Sequence, residues 1–126
     1  VDRTPRNPNL LVWHRKLWLI DHGAALYIHH TWRDPETRSR SPFPRIADHI
    51  LLPFADPISA VDRVLRDRLT PDVLATIVAR IPETWLDTGA DFADPVAHRA
   101  AYVDYLTRRL DAADVFVEEA ERARIA

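Results

Sequence analysis

Cysteine is absent from the 126 residues, which excludes a disulfide framework, a thiolate metal site and a cysteine nucleophile. A cytoplasmic protein fits that absence. Methionine is missing as well; an open reading frame starts with one, so Val1 is expected to lie inside a longer protein. Glycine occurs only as Gly23 and Gly89, too sparse for a glycine-rich phosphate loop. Lys16 is the sole lysine among 17 basic residues. No apolar run approaches the roughly 20 residues that a membrane helix needs. The opening Val1-Asp2-Arg3-Thr4-Pro5-Arg6 has no apolar signal core. A formal net charge of −2 lacks the basic excess of nucleic-acid binders. Neither membrane nor nucleic acid is therefore an expected partner.

What is present suits a folded domain. Apolar residues make up 47% and charged residues 29%, a balance that supports a core and argues against disorder. Prolines at 5 and 8 forbid regular helix across the first residues. Leu10-Leu11-Val12-Trp13 and Leu17-Trp18-Leu19-Ile20 are short, nearly continuous apolar runs. They read as two strands of a hairpin, with His14-Arg15-Lys16 as the turn. Being apolar on both faces, the hairpin is predicted to be interior. Residues 31–45 are rich in Arg, Ser and Pro without apolar period, and read as a surface loop.

From residue 46 onward the pattern turns helical. Asp56-Pro57 opens a helix with Ile58, Val61, Val64 and Leu65 on one face, ending near Leu69. Thr70-Pro71-Asp72 combines a capping hydroxyl, proline at the first helical position and an acid in the first turn. Leu74, Ile77, Val78 and Ile81 then form its core face, and Pro82 stops it. Asp94-Pro95 repeats the start signal before a stripe of Val96, Ala100, Val103, Leu106 and Leu110. A last segment from Asp114 turns Phe116, Val117 and Ala120 inward and pairs Glu118 with Arg122. The fold class is mainly α with a small β-hairpin.

The chemistry-bearing stretch is the beginning. Asp2 and Asn7 share an irregular loop, and Asp21-His22-Gly23 follows the return strand. A hairpin brings the outer ends of its strands to one side, so Asn7 and Asp21 should come near each other. Two hard oxygen donors suit Mg²⁺, which keeps several waters. Phosphoryl transfer needs such ligands, plus a carboxylate that orients the attacking hydroxyl and takes its proton. Each element also has an ordinary structural meaning. Asp-x-x-x-x-Asn recurs by chance and Asp-x-Gly is a frequent turn, so spacing alone leaves both readings open.

The surroundings carry a resemblance. Asp2-Arg3-Thr4-Pro5-Arg6-Asn7, Asn9-Leu10-Leu11-Val12-Trp13-His14 and Leu17 through Asp21-His22-Gly23-Ala24-Ala25-Leu26-Tyr27 resemble the catalytic segment of bacterial HipA-like protein kinases. The order is also similar to that of phosphoinositide kinases. The likeness is specific from Asp2 to about Trp32 and weaker over Leu51-Leu52-Pro53 and Arg99-Ala100-Ala101-Tyr102. It implies the C-terminal lobe of a protein-kinase-like fold, with Asp2 as the catalytic aspartate and Asn7 and Asp21 as Mg²⁺ ligands that bind ATP. Residues 1–30 would be the catalytic loop, hairpin and metal-binding segment, 31–45 a loop, and 46–126 the helical region of a partial kinase domain. His22 replaces the phenylalanine of the Asp-Phe-Gly motif, so the packing switch of that ring is not carried over. Lys16, in the expected turn, is a poor ATP-phosphate lysine, and the ATP-gripping lobe is missing.

The implied activity is transfer of the ATP γ-phosphoryl to a hydroxyl, with a protein serine or threonine as the expected acceptor. The family's frequent place in toxin–antitoxin pairs makes an antitoxin a candidate partner. The rivals are a small-molecule or lipid kinase using the same residues, and a non-catalytic interaction domain. His22, His29 and His30 near Asp21 offer a transition-metal cluster. On a strand, however, His29 and His30 would point to opposite faces, and local hydrogen bonding is the commoner role. Arg33, Arg38, Arg40 and Arg45 could meet phosphate or an acidic substrate, although a solvated loop explains them more simply.

Overall fold

The computed structural model describes residues 3–86 and 91–126. The chain is mainly helical, with one two-stranded antiparallel sheet. Strands β1 (Leu10–Trp13) and β2 (Lys16–Leu19) precede a short helix α1 (Pro35–Ser39). Four longer helices follow: α2 (Ile58–Arg68), α3 (Pro71–Val78), α4 (Pro95–Asp111) and α5 (Ala113–Ile125). Single 3₁₀ turns at Ile28–His30, Pro44–Asp48, Leu52–Phe54 and Glu83–Trp85 link them.

The hairpin turn is tighter than expected. Trp13 pairs with Lys16, so only His14 and Arg15 turn, with φ of 48° and 61°. Two successive left-handed residues match the right-handed twist of the strands, which is why two-residue hairpins adopt them. Lys16 thus belongs to β2. The expectation of an interior hairpin is overturned: Val12 is 70% and Trp13 58% exposed, and Leu17, Trp18 and Leu19 are exposed too. Among the described elements the two strands pack chiefly on each other, so neither apolar face finds a cover.

Helix α4 is the hub, packing against α1, α3 and α5. Its inward side differs from the apolar stripe. Val96 is 71% exposed, whereas His98 and Tyr105 are buried. For His98 the reason is aromatic stacking: its ring stacks on Phe92 and Tyr102 at centroid distances of 4.1 and 5.1 Å. Trp32 meets all three rings edge-on. Edge-to-face and offset arrangements are the favourable ones for such rings. A hydropathy period undercounts these half-polar residues.

Start signals fared better. The Thr70 side chain accepts from the Val73 amide at the head of α3, and Asp94 accepts from the Ala97 amide at 2.7 Å on α4. Within 31–45 the loop contains α1, because Pro35-Glu36 is the same proline-then-acid opening. Helix α2 has no side-chain cap of its own; Glu121 of α5 accepts from the Ser59 amide at 3.0 Å instead. That amide, and then Arg124, hold the Glu121 carboxyl below the usual range. Arg122 pairs with Glu119, at i+3, and not with the expected Glu118 one residue earlier. Leu74, Val78, Val117 and Ala120 are buried as the stripes require, but Val61, Val64, Leu65 and Ile77 are exposed.

Asp94→Ala removes the oxygen that satisfies the Ala97 amide. It is expected to cost about 1 kcal/mol of stability, read as a lower midpoint in urea unfolding with the slope unchanged.

Candidate functional site

The outer end of the hairpin is built by backbone geometry. Beyond the strands, the Ile20 amide donates to the Asn9 carbonyl at 3.0 Å, extending the ladder by one pair. Asn7 lies just before this pair in sequence and Asp21 just after it. Both therefore stand at the open end of the hairpin, the side opposite the His14-Arg15 turn. Thr4-Pro5-Arg6-Asn7 forms a tight turn closed by the Asn7 amide on the Thr4 carbonyl at 3.1 Å, with proline at the position whose φ it pre-sets. Asn9, 8% exposed and with φ 45°, sets the direction in which the chain enters β1.

Asp21 has φ 50°, a left-handed conformation that aspartate tolerates better than most residues. It turns the chain sharply out of β2. A hydrogen bond from the Ala25 amide to the His22 carbonyl, 2.9 Å, then closes the next turn. Gly23 needs no left-handed φ, and a Cβ there would sit 3.6 Å from the nearer Asp21 oxygen, an ordinary contact. The glycine is therefore not demanded by local sterics. Asn7 and Asp21 are both exposed and offer hard oxygen donors that fit Mg²⁺ with retained waters. Asp2, the residue expected to act as catalytic aspartate, lies outside the described residues.

Arg3 is the contact that sequence reasoning passed over. Its Nη2 lies 3.1 Å from His22 Nδ1 and 3.5 Å from the Ile20 carbonyl. A guanidinium only donates, so Nδ1 accepts and the ring proton belongs on Nε2. The Arg3 carbonyl accepts from the Ile50 amide at 2.8 Å. Arg3 thus ties the loop, the Asp21-His22-Gly23 segment and the helical region together. Its adjacency to Asp2 was the available signal, but spacing could not reveal the partner.

The histidine expectation needs correction. His29 and His30 lie on a 3₁₀ turn, not a strand, and their ring centroids are 4.1 Å apart. Even so, among the described residues no group of three or more His, Asp or Glu side chains could hold a metal. Burial first, and the positive charge of His30 second, lower the His29 pKa. His49 is lowered by burial and then by nearby positive charge, Arg3 included. No family model, curated protein or solved structure matches the chain.

Both histidines fold in the neutral form, while the unfolded chain takes up their protons near pH 6.5. Their contribution is complete above that pH and lost as pH falls through the depressed folded values. Unfolding midpoints are therefore expected to drop between pH 7.5 and 5.5. His49→Asn can still accept from the Leu51 amide, as Nδ1 does, and is expected to remove part of that drop. An unchanged pH profile in this variant would assign the loss elsewhere.

Proposed function

We propose that the chain is the catalytic-lobe portion of a HipA-like kinase that transfers the ATP γ-phosphoryl to a hydroxyl, with serine or threonine of a protein as acceptor. One observation carries the reading: the hairpin register places Asn7 and Asp21 at the same open end. Two ligands of one Mg²⁺ would stand on one side of the hairpin in this way. Asp2 precedes Asn7 on the same loop and would orient the acceptor hydroxyl and take its proton. Mg²⁺ would neutralise charge on the ATP phosphates, while Asn7 and Asp21 hold it in place. Arg3 would fix the Asp21 segment against the loop through His22.

One further feature supports the reading. The hairpin exposes apolar residues on both faces, as expected of an element that packs against another part of a larger enzyme. The phosphate-gripping loop and lysine that kinases require are not among these 126 residues. A non-catalytic interaction domain is the rival, favoured by the exposed apolar face of α2. A small-molecule or lipid kinase would use the same metal end with a different acceptor.

The metal end can be tested in the chain itself. Paramagnetic Mn²⁺ is expected to broaden the amide resonances around Asn7 and Asp21 first, and Asp21→Ala to abolish that selectivity. Uniform broadening along the chain would refute the metal assignment. In a protein that also carries the nucleotide-gripping lobe, Asp2→Asn should spare Mg²⁺-ATP binding and stop transfer; retained transfer would point to another base.

A further inference from the structure

A cavity of about 540 Å³ lies beside the segment that follows Gly23. Three arginines line it: Arg38 of α1, Arg45 of the 3₁₀ turn and Arg109 of α4. Among the described residues no Asp or Glu lines it. Among the described residues, none of the three guanidiniums is paired with a carboxylate. Acids outnumber Lys and Arg in the chain, 19 to 17, so a cavity whose charged lining is arginine alone is unusual for it.

Backbone carbonyls orient two of these side chains. Arg38 donates from Nη1 to the Thr31 carbonyl at 2.7 Å and from Nη2 to the Tyr27 carbonyl at 3.3 Å. Arg109 Nη1 donates to the carbonyls of Ser39 and Ser41, and its guanidinium lies 4.2 Å from the centroid of the Phe116 ring. Carbonyls and a ring face position a guanidinium without cancelling its charge. Arg109 is also half-buried, and desolvation works against its protonated form. A buried cation without an anion is costly, and an incoming dianion would offset that cost.

We propose that this cavity receives a phosphomonoester group, held by Arg38, Arg45 and Arg109. Charge selects the class: three guanidiniums match a phosphate dianion better than a single carboxylate, and their planar forks suit its oxygens. Tyr27 and Tyr105 line the same space, and a phenol hydroxyl can donate to a phosphate oxygen. The volume lies within the range for small-ligand sites and leaves room for the carrier of the phosphate beside Leu26 and Phe43. The proposal stands apart from the kinase reading, because none of its residues is a proposed metal ligand or base.

Anisotropy titrations of the whole chain test it without added metal. The probes are a fluorescent hexapeptide carrying one phosphoserine, its unphosphorylated twin, and inorganic phosphate as competitor. The phosphopeptide is expected to bind and the twin not to. Arg45→Gln changes an exposed side chain, so the fold should keep its melting temperature. The variant should still weaken the phosphopeptide roughly tenfold or more, the usual consequence of losing one charge-assisted contact. Arg38→Gln should act in the same direction, and Asp21→Ala should leave the metal-free phosphopeptide affinity unchanged, which separates this site from the metal end. Displacement only by high phosphate would assign the phosphorylated chain as the ligand; phosphate binding as tightly as the peptide would assign the free anion to the same site. Equal binding of the twin, binding of neither probe, or unchanged affinity in both folded arginine variants would overturn the proposal.

Discussion

Arg109 sits in the last turn of α4 with its guanidinium against Phe116 of α5 and donates to the carbonyls of Ser39 and Ser41. The segment it grips is the end of α1, where Ser39 is fully buried and folds its hydroxyl back onto the Glu36 carbonyl at 2.6 Å. One cation therefore joins a loop-borne helix to the two C-terminal helices. Buried carbonyls left without donors are costly, and here a side chain supplies what no strand or helix does. Nearby, Arg108 reaches Glu36 at 3.2 Å. That exposed pair adds little by itself, because solvent screens it and holding two long side chains together costs entropy. The Arg109 contact is of another kind, because removing it would strand buried partners on both sides.

The same economy recurs along α4. Arg99 donates to the Ile81 carbonyl at 2.8 Å just beyond α3, while the rings of His98 and Tyr102 hold Trp32. A helix that the hydropathy pattern presents as an apolar stripe works through its arginines and aromatic residues. The long segment after Ile28 stays in place for this reason, although it carries few apolar side chains.

These contacts mark the boundary of what was legible in the sequence. Helix starts at Thr70 and Asp94 were legible because capping is local: the oxygen and the amide it satisfies lie within a few residues. The hairpin was legible for the same reason, apart from Lys16, which belongs to β2 and not to the turn. Its exposure was not, because burial depends on what packs against it, and apolar faces in sequence cannot name their cover. The buried side of α4 was misread where stacking outweighed hydropathy. At the candidate site, the order of Asn7 and Asp21 around the hairpin could be seen from the strands. The bridge from Arg3 to His22 spans 19 positions, and spacing could not name the partner. Arg38 and Arg45 were noted as a charged loop, but Arg109 joins them only through the packing of α4.

The cation-lined cavity and the open end of the hairpin are linked by a short, constrained stretch of chain. Asp21 and Tyr27 both take left-handed backbone conformations, with φ of 50° and 62°, each costing a non-glycine residue about 1–2 kcal/mol. Such strain persists only where neighbouring contacts over-determine it. Upstream, the Ile20–Asn9 hydrogen bond fixes the chain as it leaves the hairpin. Downstream, Ile28 is wholly buried and Arg38 holds the Tyr27 carbonyl. The position of Asp21 thus depends on two anchors, one of them an arginine that also lines the cavity. A ligand that drew Arg38 away from Tyr27 would loosen the downstream anchor, whereas one that accepted from its remaining N–H groups would reinforce it. Because a guanidinium has five donors and the two carbonyl bonds use only two of them, reinforcement is the outcome its geometry favours.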